Sequence, residues 1–173
     1  MRTIMIFPEF ENMDIIDCIR TRFDPLANLV RPHITLVFPF ESEMSNEMLS
    51  KVLTERLCDI APFEIKLGGI SKHIDSFGNY LFLNILQGFE KIASIHHLLC
   101  ENEFKEFDKG LPYIPHMTVG NVSNVQLLDA AFEELKNMNQ IFTTTVNKIA
   151  VEMIGENNES IIVIEMKPRS LHN

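Results

Sequence analysis

Two kinds of hydrophobic pattern follow one another along the chain. Seven stretches show period-2 alternation or short continuous apolar runs, which predict β-strands because successive side chains of a strand point to opposite faces. These strands lie near residues 2–8, 33–38, 62–73, 80–86, 116–121, 142–153 and 160–166. The segment GENNES, residues 155–160, lies just before the last strand and is typical of a hairpin turn.

Four other segments have the spacing of amphipathic helices, with apolar side chains recurring every three or four positions. They lie at residues 12–23, 45–57, 88–104 and 123–138. Ser45 is a candidate N-cap for the second helix. Ser123 and Gln126 have the spacing of a capping box at the start of the fourth. The first helix is expected to end before Pro25, because the residue before a proline disfavours helical backbone.

The order of these elements repeats once along the chain. Each half follows β-α-β-α-β with an offset of about 80 residues, and a further strand closes the second half. This order predicts an α+β fold in which residues 1–173 form one domain of two pseudo-symmetric lobes. The lobes are expected to be duplicated units, with two mostly antiparallel sheets facing each other across a central cleft. The alternative to duplication is an ordinary α+β chain whose halves are similar by chance.

Composition and charge narrow the class of protein. Hydrophobic residues make up 46% of the chain, which is enough for a real core. No apolar run approaches the length of a membrane span, and the opening residues do not resemble a signal peptide, so we expect a cytoplasmic protein. Three widely spaced cysteines are expected to be reduced thiols. A net charge of −9 disfavours long nucleic acid as a partner and leaves room for a small anionic ligand in a local pocket.

One short motif occurs twice. The segments RPHITLVF, residues 31–38, and IPHMTVGN, residues 114–121, each contain Pro, His, any residue and Thr, followed by an apolar residue. With six histidines and eight prolines in 173 residues, chance predicts about 0.03 segments with Pro before His and Ser or Thr two places after it. Both copies also fall at corresponding points of the proposed repeat, which argues against coincidence.

Strand geometry places the polar residues of each motif together. Residues i and i+2 of a strand share a face, so His33 should point with Thr35, and His116 with Thr118. If the lobes are related by a pseudo-twofold axis, both faces meet across the cleft. Two imidazoles flanking a phosphodiester can act as general base and general acid, and two hydroxyls can donate hydrogen bonds to the non-bridging oxygens. Such a site needs no metal and no other cofactor.

The segments HITL, residues 33–36, and HMTV, residues 116–119, resemble the HxTx signature of the two-histidine (2H) phosphoesterase superfamily. That superfamily includes the 2′-5′ RNA ligase-like proteins and cyclic nucleotide phosphodiesterases. Residues 68–85 are also similar to the segment before and into the middle strand of bacterial members. The resemblance implies a bilobal fold, a metal-independent site, and a small cyclic or 2′-5′-linked phosphate as substrate.

The resemblance also implies roles for the motif residues. His33 would be the proton donor to the leaving group and His116 the proton acceptor, although the opposite order occurs in other branches. Thr35 and Thr118 would hold the phosphate.

Further residues near the motifs are candidates for contact with substrate. Arg31 and Tyr113 each precede a motif and Phe38 follows the first, and an aromatic ring beside the cleft could stack on a base. A surface arginine and core aromatics are the alternative.

The remaining histidines and a glycine pair have structural explanations. His73 ends a strand and is expected to serve the turn that follows, with a place at the cleft as the alternative. His96 and His97 are adjacent on a helix, so the two are expected to divide between its surface and the edge of the core. His172 is expected to belong to a polar tail. Gly68 and Gly69 are expected to permit a bulge or bend in a strand.

These observations favour a monomeric phosphodiesterase acting on a small nucleotide or RNA-end cyclic phosphate. Two alternatives stay open. A 2′-5′ RNA ligase would use the same site in reverse, and a non-catalytic module would bind a nucleotide or RNA end without turnover.

Overall fold

Two antiparallel sheets and four α-helices make up the described part of the chain, which is residues 1–108, 110 and 112–167 of a computed structural model. The helices are α1 (Met13–Phe23), α2 (Asn46–Arg56), α3 (Phe89–Cys100) and α4 (Val125–Leu135). The strands are β1 (Arg2–Ile6), β2 (Ile34–Phe40), β3 (Phe63–Ile74), β4 (Asn79–Gln87), β5 (His116–Val122), β6 (Ile141–Val146), β7 (Ile149–Ile154) and β8 (Ser160–Met166). All four predicted helices are therefore confirmed.

One predicted strand, residues 142–153, is wrong as a single element. It is two strands, β6 and β7, which belong to different sheets. The break falls at Asn147 and Lys148, where neither glycine nor proline marks a change of direction. Residues that favour β-strands continue on both sides of this break, and both strands have buried side chains. The sequence pattern therefore does not show where the chain passes from one sheet to the other.

The helix caps are partly as predicted. Ser45 caps α2 and accepts a hydrogen bond from the Met48 backbone N–H at 3.2 Å. The predicted capping box of Ser123 and Gln126 is wrong, because Asn124 is the N-cap of α4 and accepts from the Leu127 N–H at 2.9 Å. Asparagine and serine are similarly good caps, so two adjacent candidates could not be separated by residue type.

Each sheet has four strands, and every neighbouring pair is antiparallel. The first sheet has the order β2-β1-β7-β8, and the second has the order β5-β4-β3-β6. The predicted hairpin at residues 155–160 joins β7 to β8, with Asn158 in the left-handed region at φ 64°. Gly69 is also left-handed, at φ 66°, and lies where the pairing of β3 with β4 shifts register, so the predicted irregularity in this strand is confirmed.

The two sheets exchange a strand relative to the sequence repeat. β3 belongs to the first half of the chain but pairs with β4 and β6 in the second sheet. β7, from the second half, occupies the corresponding place beside β1. As a result β2 and β5 are equivalent edge strands, and they contact each other. β2 begins directly after His33, and β5 begins at His116.

The helices complete a continuous core around these strands. α2 packs against β8 and α4 against β3 and β4, while α1 contacts β5 and α3 contacts β2. The first helix of each half therefore supports the edge strand of the other half. The buried side chains of the edge strands, such as Leu36 and Met117, have no exposed surface, and truncating such a side chain to Ala typically costs about 2–5 kcal/mol.

Candidate active site

Both motifs place their histidine and threonine on the side of the strand that faces away from the core. Ile34 and Leu36 have no exposed surface, and neither do Met117 and Val119. The polar residues that alternate with these apolar side chains are half-buried, namely His33, Thr35, His116 and Thr118. The alternation in each motif therefore separates a core face from a polar face.

A β-bulge follows the threonine in each motif. In the first sheet Thr35 pairs with Met5, and the next pairing joins Val37 to Ile4, so Leu36 is an extra residue on the edge strand. The second sheet repeats this arrangement at β5, where the register also shifts by one residue directly after Thr118. Bulges redirect side chains and are common beside active sites.

The two imidazoles are held by the same kind of hydrogen bond. His33 Nδ1 lies 2.8 Å from the Arg31 carbonyl oxygen, and His116 Nδ1 lies 2.7 Å from the Ile114 carbonyl oxygen. A carbonyl can only accept, so Nδ1 carries the proton in each ring. Nε2 is then the atom that can take up or give a proton, as in other histidines whose tautomer is set by a backbone carbonyl.

Burial lowers the pKa of both histidines from the ordinary value of 6.5. At His116 the neighbouring imidazoles of His73 and His33 lower the pKa further. At His33 the nearby Arg20 lowers the pKa and Asp24 raises it. The two edge strands that follow from the motifs contact each other, although the motifs are distant in sequence.

An aromatic column lies under His116 and was not found from the sequence. The Phe82 ring stacks on His116 with centroids 3.6 Å apart and on His73 with centroids 5.1 Å apart. Phe82 pairs directly with Thr118 across the strands. The sequence contained a signal for this, because Phe82 lies between Leu81 and Leu83, and neighbouring residues of a strand point to opposite faces. Leu81 and Leu83 are buried, so Phe82 is on the face of β4 that points away from the core.

His73 was expected to serve a turn, and this is only partly right. Its ring lies 3.5 Å from the Asp75 carboxylate in the β3–β4 turn, but the residue itself belongs to β3 and stacks on Phe82. His96 is buried and His97 is exposed on α3. His172 lies outside the described residues.

The surroundings of His33 are different. Its nearest described aromatic partner is Phe7, tilted by 60° at a centroid distance of 6.0 Å. The guanidinium of Arg31 lies over the Phe7 ring at 4.6 Å. Both residues line a hollow of about 520 Å³ beside α1, whose lining ends at Pro32 and includes none of the motif histidines and threonines.

The other two predicted contact residues, Tyr113 and Phe38, do not line that hollow. The Tyr113 hydroxyl donates to the Thr35 carbonyl oxygen at 2.6 Å, and its ring stacks on His96 at 3.7 Å. Phe38 is half-buried on β2, three residues after Thr35.

A buried ion pair supports the loop that leads to His33. Arg20 is 2% exposed, and its Nε donates to the Asp24 carboxylate at 2.8 Å. Arg20 also donates to the Leu26 carbonyl, while Asp24 accepts from the Leu26 N–H. The sequence shows only an i, i+4 pair, so its burial was not predictable.

The described residues contain no group of three or more His, Cys, Asp or Glu side chains placed to bind a metal ion. None of the helices described is both long and apolar enough to span a membrane.

The fold and the paired motifs define a protein of the 2H phosphoesterase type, and comparison with known proteins agrees. A family model described as the 2′-5′ RNA ligase superfamily matches residues 7–157, and the chain belongs to this family. The resemblance drawn from the two HxTx segments is thus confirmed.

Curated relatives point to the same class. A "Putative phosphoesterase" of Halalkalibacterium halodurans is 31% identical over 134 residues, which cover 73% of each chain. One from Bacillus mycoides is 33% identical over 121 residues, covering 68% of this chain and 67% of the relative. Together with the family, these relatives support a phosphoesterase.

Solved structures confirm the predicted fold class. The crystal structure of Escherichia coli LigT complexed with 3′-AMP superimposes with a TM-score of 0.65 and 14% identity, covering 98% of both chains. The structure of Kluyveromyces marxianus Usb1 superimposes with a TM-score of 0.57 and 10% identity, covering 94% of this chain and 96% of that one.

Proposed function

We propose that the protein is a metal-independent phosphodiesterase that hydrolyses a small cyclic or 2′-5′-linked nucleotide phosphate. The observation that carries this proposal is the matched pair of imidazoles. Each ring has its Nδ1–H bound to a backbone carbonyl, each accompanies a threonine on an edge strand, and the two edge strands contact each other.

His116 is the proposed general base. Its Nε2 takes a proton from a water molecule, whose oxygen attacks phosphorus. The neighbouring imidazoles of His73 and His33 lower the pKa of His116, which favours the neutral form that a base requires. The stacked Phe82 ring holds the imidazole plane in place.

His33 is the proposed general acid. In its protonated form it donates the Nε2 proton to the leaving oxygen as the phosphorus–oxygen bond breaks. Burial and the Arg20 guanidinium lower the pKa of His33, whereas its hydrogen bond to the Arg31 carbonyl and the Asp24 carboxylate act in the direction that an acid requires and raise it. A bound phosphodiester anion would raise that pKa further, since an opposite charge nearby favours the protonated imidazole.

Thr35 and Thr118 are proposed to bind the two non-bridging oxygens. Their hydroxyls flank the same space as the histidines because each shares a face with its own histidine. Negative charge grows on these oxygens in the transition state, so donors placed there stabilise it more than the ground state.

The substrate is proposed to be short. A net charge of −9 repels an extended phosphate backbone, whereas one phosphodiester needs only a local site. The superimposable LigT was crystallised with 3′-AMP, a single nucleotide, which is consistent with a nucleotide-sized ligand in a fold of this kind.

The test is a panel of 2′,3′-cyclic nucleotides and 2′-5′-linked dinucleotides incubated with pure protein in excess chelator. We expect hydrolysis that His33→Ala and His116→Ala each reduce by about 10²–10⁴-fold, the usual contribution of general acid–base catalysis. His97→Ala, on the exposed face of α3, is the matched control and should retain full activity. Unchanged turnover in either site variant, or activity that the chelator abolishes, would reject the proposal. Saturable binding without turnover would favour the binding module, and joining of RNA ends would favour the ligase.

A further inference from the structure

The backbone of β2 is bound by two side chains that the proposed reaction does not use. The carbonyl oxygen of Thr35 accepts from the Tyr113 hydroxyl at 2.6 Å, and the carbonyl oxygen of Leu36 lies 2.7 Å from Nδ1 of His96. These two carbonyls belong to the β-bulge that follows the motif histidine. A buried backbone carbonyl without a partner is costly, and a bulge removes regular partners.

The two side chains act as one unit. The rings of His96 and Tyr113 stack nearly parallel, at 8° with centroids 3.7 Å apart. His96 is 4% exposed and comes from α3, which packs against β2. Tyr113 lies three residues before His116, in the segment whose Ile114 carbonyl binds the His116 ring. One short segment therefore carries the second histidine and also contacts the backbone of the first motif.

We infer that His96 and Tyr113 are positioning residues, which hold Thr35 in register with His116 by binding the two carbonyls of the bulge. The inference rests on the proposed function, in which Thr35 binds phosphate. The Tyr113 hydroxyl and Nδ1 of His96 both bind carbonyls of β2, so both side chains act through the backbone of that strand.

The protonation states suit this role. Burial raises the pKa of the Tyr113 hydroxyl, so it remains a neutral donor. Burial lowers the pKa of His96, and its bond to the Leu36 carbonyl keeps the proton on Nδ1. Both donors are thus retained across the pH range in which the catalytic histidines would titrate.

The second motif lacks this arrangement. Among the described residues, the side-chain hydrogen bonds include none to the carbonyls of Thr118 or Val119, the residues that correspond to Thr35 and Leu36. The ring beneath Thr118 is Phe82, which pairs with it across the sheet. The first motif is bound through its backbone, and the second rests on an aromatic side chain.

The experiment compares variants that remove one donor with variants that keep it. Tyr113→Phe preserves the stacked ring and removes only the hydroxyl. His96→Leu removes the second donor, whereas His96→Asn can present its Nδ2–H in place of Nδ1–H. We expect kcat on the best substrate of the panel to fall by about 10–100-fold for the first two, as misplacement of a catalytic group by about 1 Å can cost 10²-fold. KM should change by less than about threefold.

Two comparisons separate positioning from general damage to the fold. His96→Asn should restore kcat to within about threefold of the wild-type value, and His97→Leu should leave it unchanged. Tyr113→Phe should cause no further loss when Thr35 is already Ala, because the effect passes through Thr35. Full kcat in Tyr113→Phe, or losses that multiply in the double variant, would overturn the inference.

Hydrogen exchange separates failure of this inference from failure of the proposed function. Backbone amides of β2 should exchange faster in Tyr113→Phe than in the wild type, whether or not any substrate is turned over. Faster exchange in a protein without activity on the panel would reject the phosphodiesterase and keep the positioning role. Unchanged exchange together with unchanged kcat would reject the positioning role alone.

Discussion

His33 and His116 have the same backbone setting and different surroundings. Both lie at the start of an edge strand, bind a carbonyl two residues earlier through Nδ1, and are followed by a bulge after the threonine. Under His116 is a stacked column of Phe82 and His73. Beside His33 are a tilted Phe7 and the charges of Arg20 and Asp24.

On the proposed mechanism, this difference in surroundings separates the roles of two imidazoles with the same backbone setting. The repeat generates two imidazoles of equal chemistry, whereas the proposed reaction requires one neutral ring and one protonated ring at the same pH. Neighbouring groups that shift the pKa values of His33 and His116 by different amounts would divide the roles of acid and base between them. Here aromatic and imidazole rings surround the proposed base, and the Arg20–Asp24 ion pair lies near the proposed acid.

The largest expected effect tests the division of roles directly. A 4-nitrophenyl leaving group needs no proton, so a nucleotide 4-nitrophenyl ester should bypass the general acid. His33→Ala should then lose far less activity on this ester than the roughly 10²–10⁴-fold expected on a 2′-5′ dinucleotide. His116→Ala should lose similar activity on both. Kinetics of the four combinations check this, and recovery in His116→Ala instead would show that the roles are reversed.

The next effect concerns the ion pair near His33. Arg20→Leu leaves the Asp24 carboxylate buried without its partner, which should lower the free energy of unfolding by about 3–5 kcal/mol. Denaturant unfolding measures the loss. Replacing both residues with apolar ones should recover most of it, because no unpaired charge is left behind.

A matched control for this prediction lies two residues away on the same helix. Arg22 makes an exposed pair with Glu134, with both side chains about half exposed, so Arg22→Leu should change stability little. Equal losses in Arg20→Leu and Arg22→Leu would contradict the importance assigned to burial.

A smaller effect is expected from the aromatic partners. Phe82→Leu removes the face-to-face stack under His116, an interaction of the kind worth about 0.5–1.5 kcal/mol. We expect kcat to fall by about 2–10-fold. Phe7→Leu should cost less, because that ring is tilted and 6.0 Å from His33. Steady-state kinetics of the two variants measure both losses of kcat. A greater loss in Phe7→Leu than in Phe82→Leu would contradict this prediction.

The smallest effect is a shift in pH dependence. The base must be neutral, so kcat/KM rises with pH through the pKa of His116, and a lowered pKa places this rise below the ordinary value of 6.5. The proposed acid must be protonated, so the rate falls through the pKa of His33, which burial also lowers. The optimum of kcat/KM should therefore lie on the acidic side of 6.5.

His73→Ala sharpens this prediction. The His73 imidazole lowers the pKa of His116, so its removal should move the rising limb of the kcat/KM profile to higher pH and leave the falling limb in place. Movement of the falling limb instead would indicate that His116 is the acid. His97→Ala should move neither limb.

Much of the fold and the centre of the site follow from local pattern. Alternation around His33 and His116 is enough to place each histidine with its threonine on the polar face, because a strand has a period of two. Helical spacing identified all four helices, and Gly69 marked the irregularity in β3. These features depend on residues within a few positions of each other, which a single sequence displays.

Contacts between distant segments were decided only by the tertiary structure. Residues 142–153 divide between two sheets because β3 lies between β4 and β6 in the second sheet, while β7 takes the corresponding place beside β1 in the first. That exchange makes β2 and β5 edge strands in contact, which brings Tyr113 to the Thr35 carbonyl. Tertiary packing likewise decides that Arg20 is buried rather than exposed. Burial and long-range pairing depend on which elements meet, whereas the spacing of residues along one strand or helix depends on that element alone.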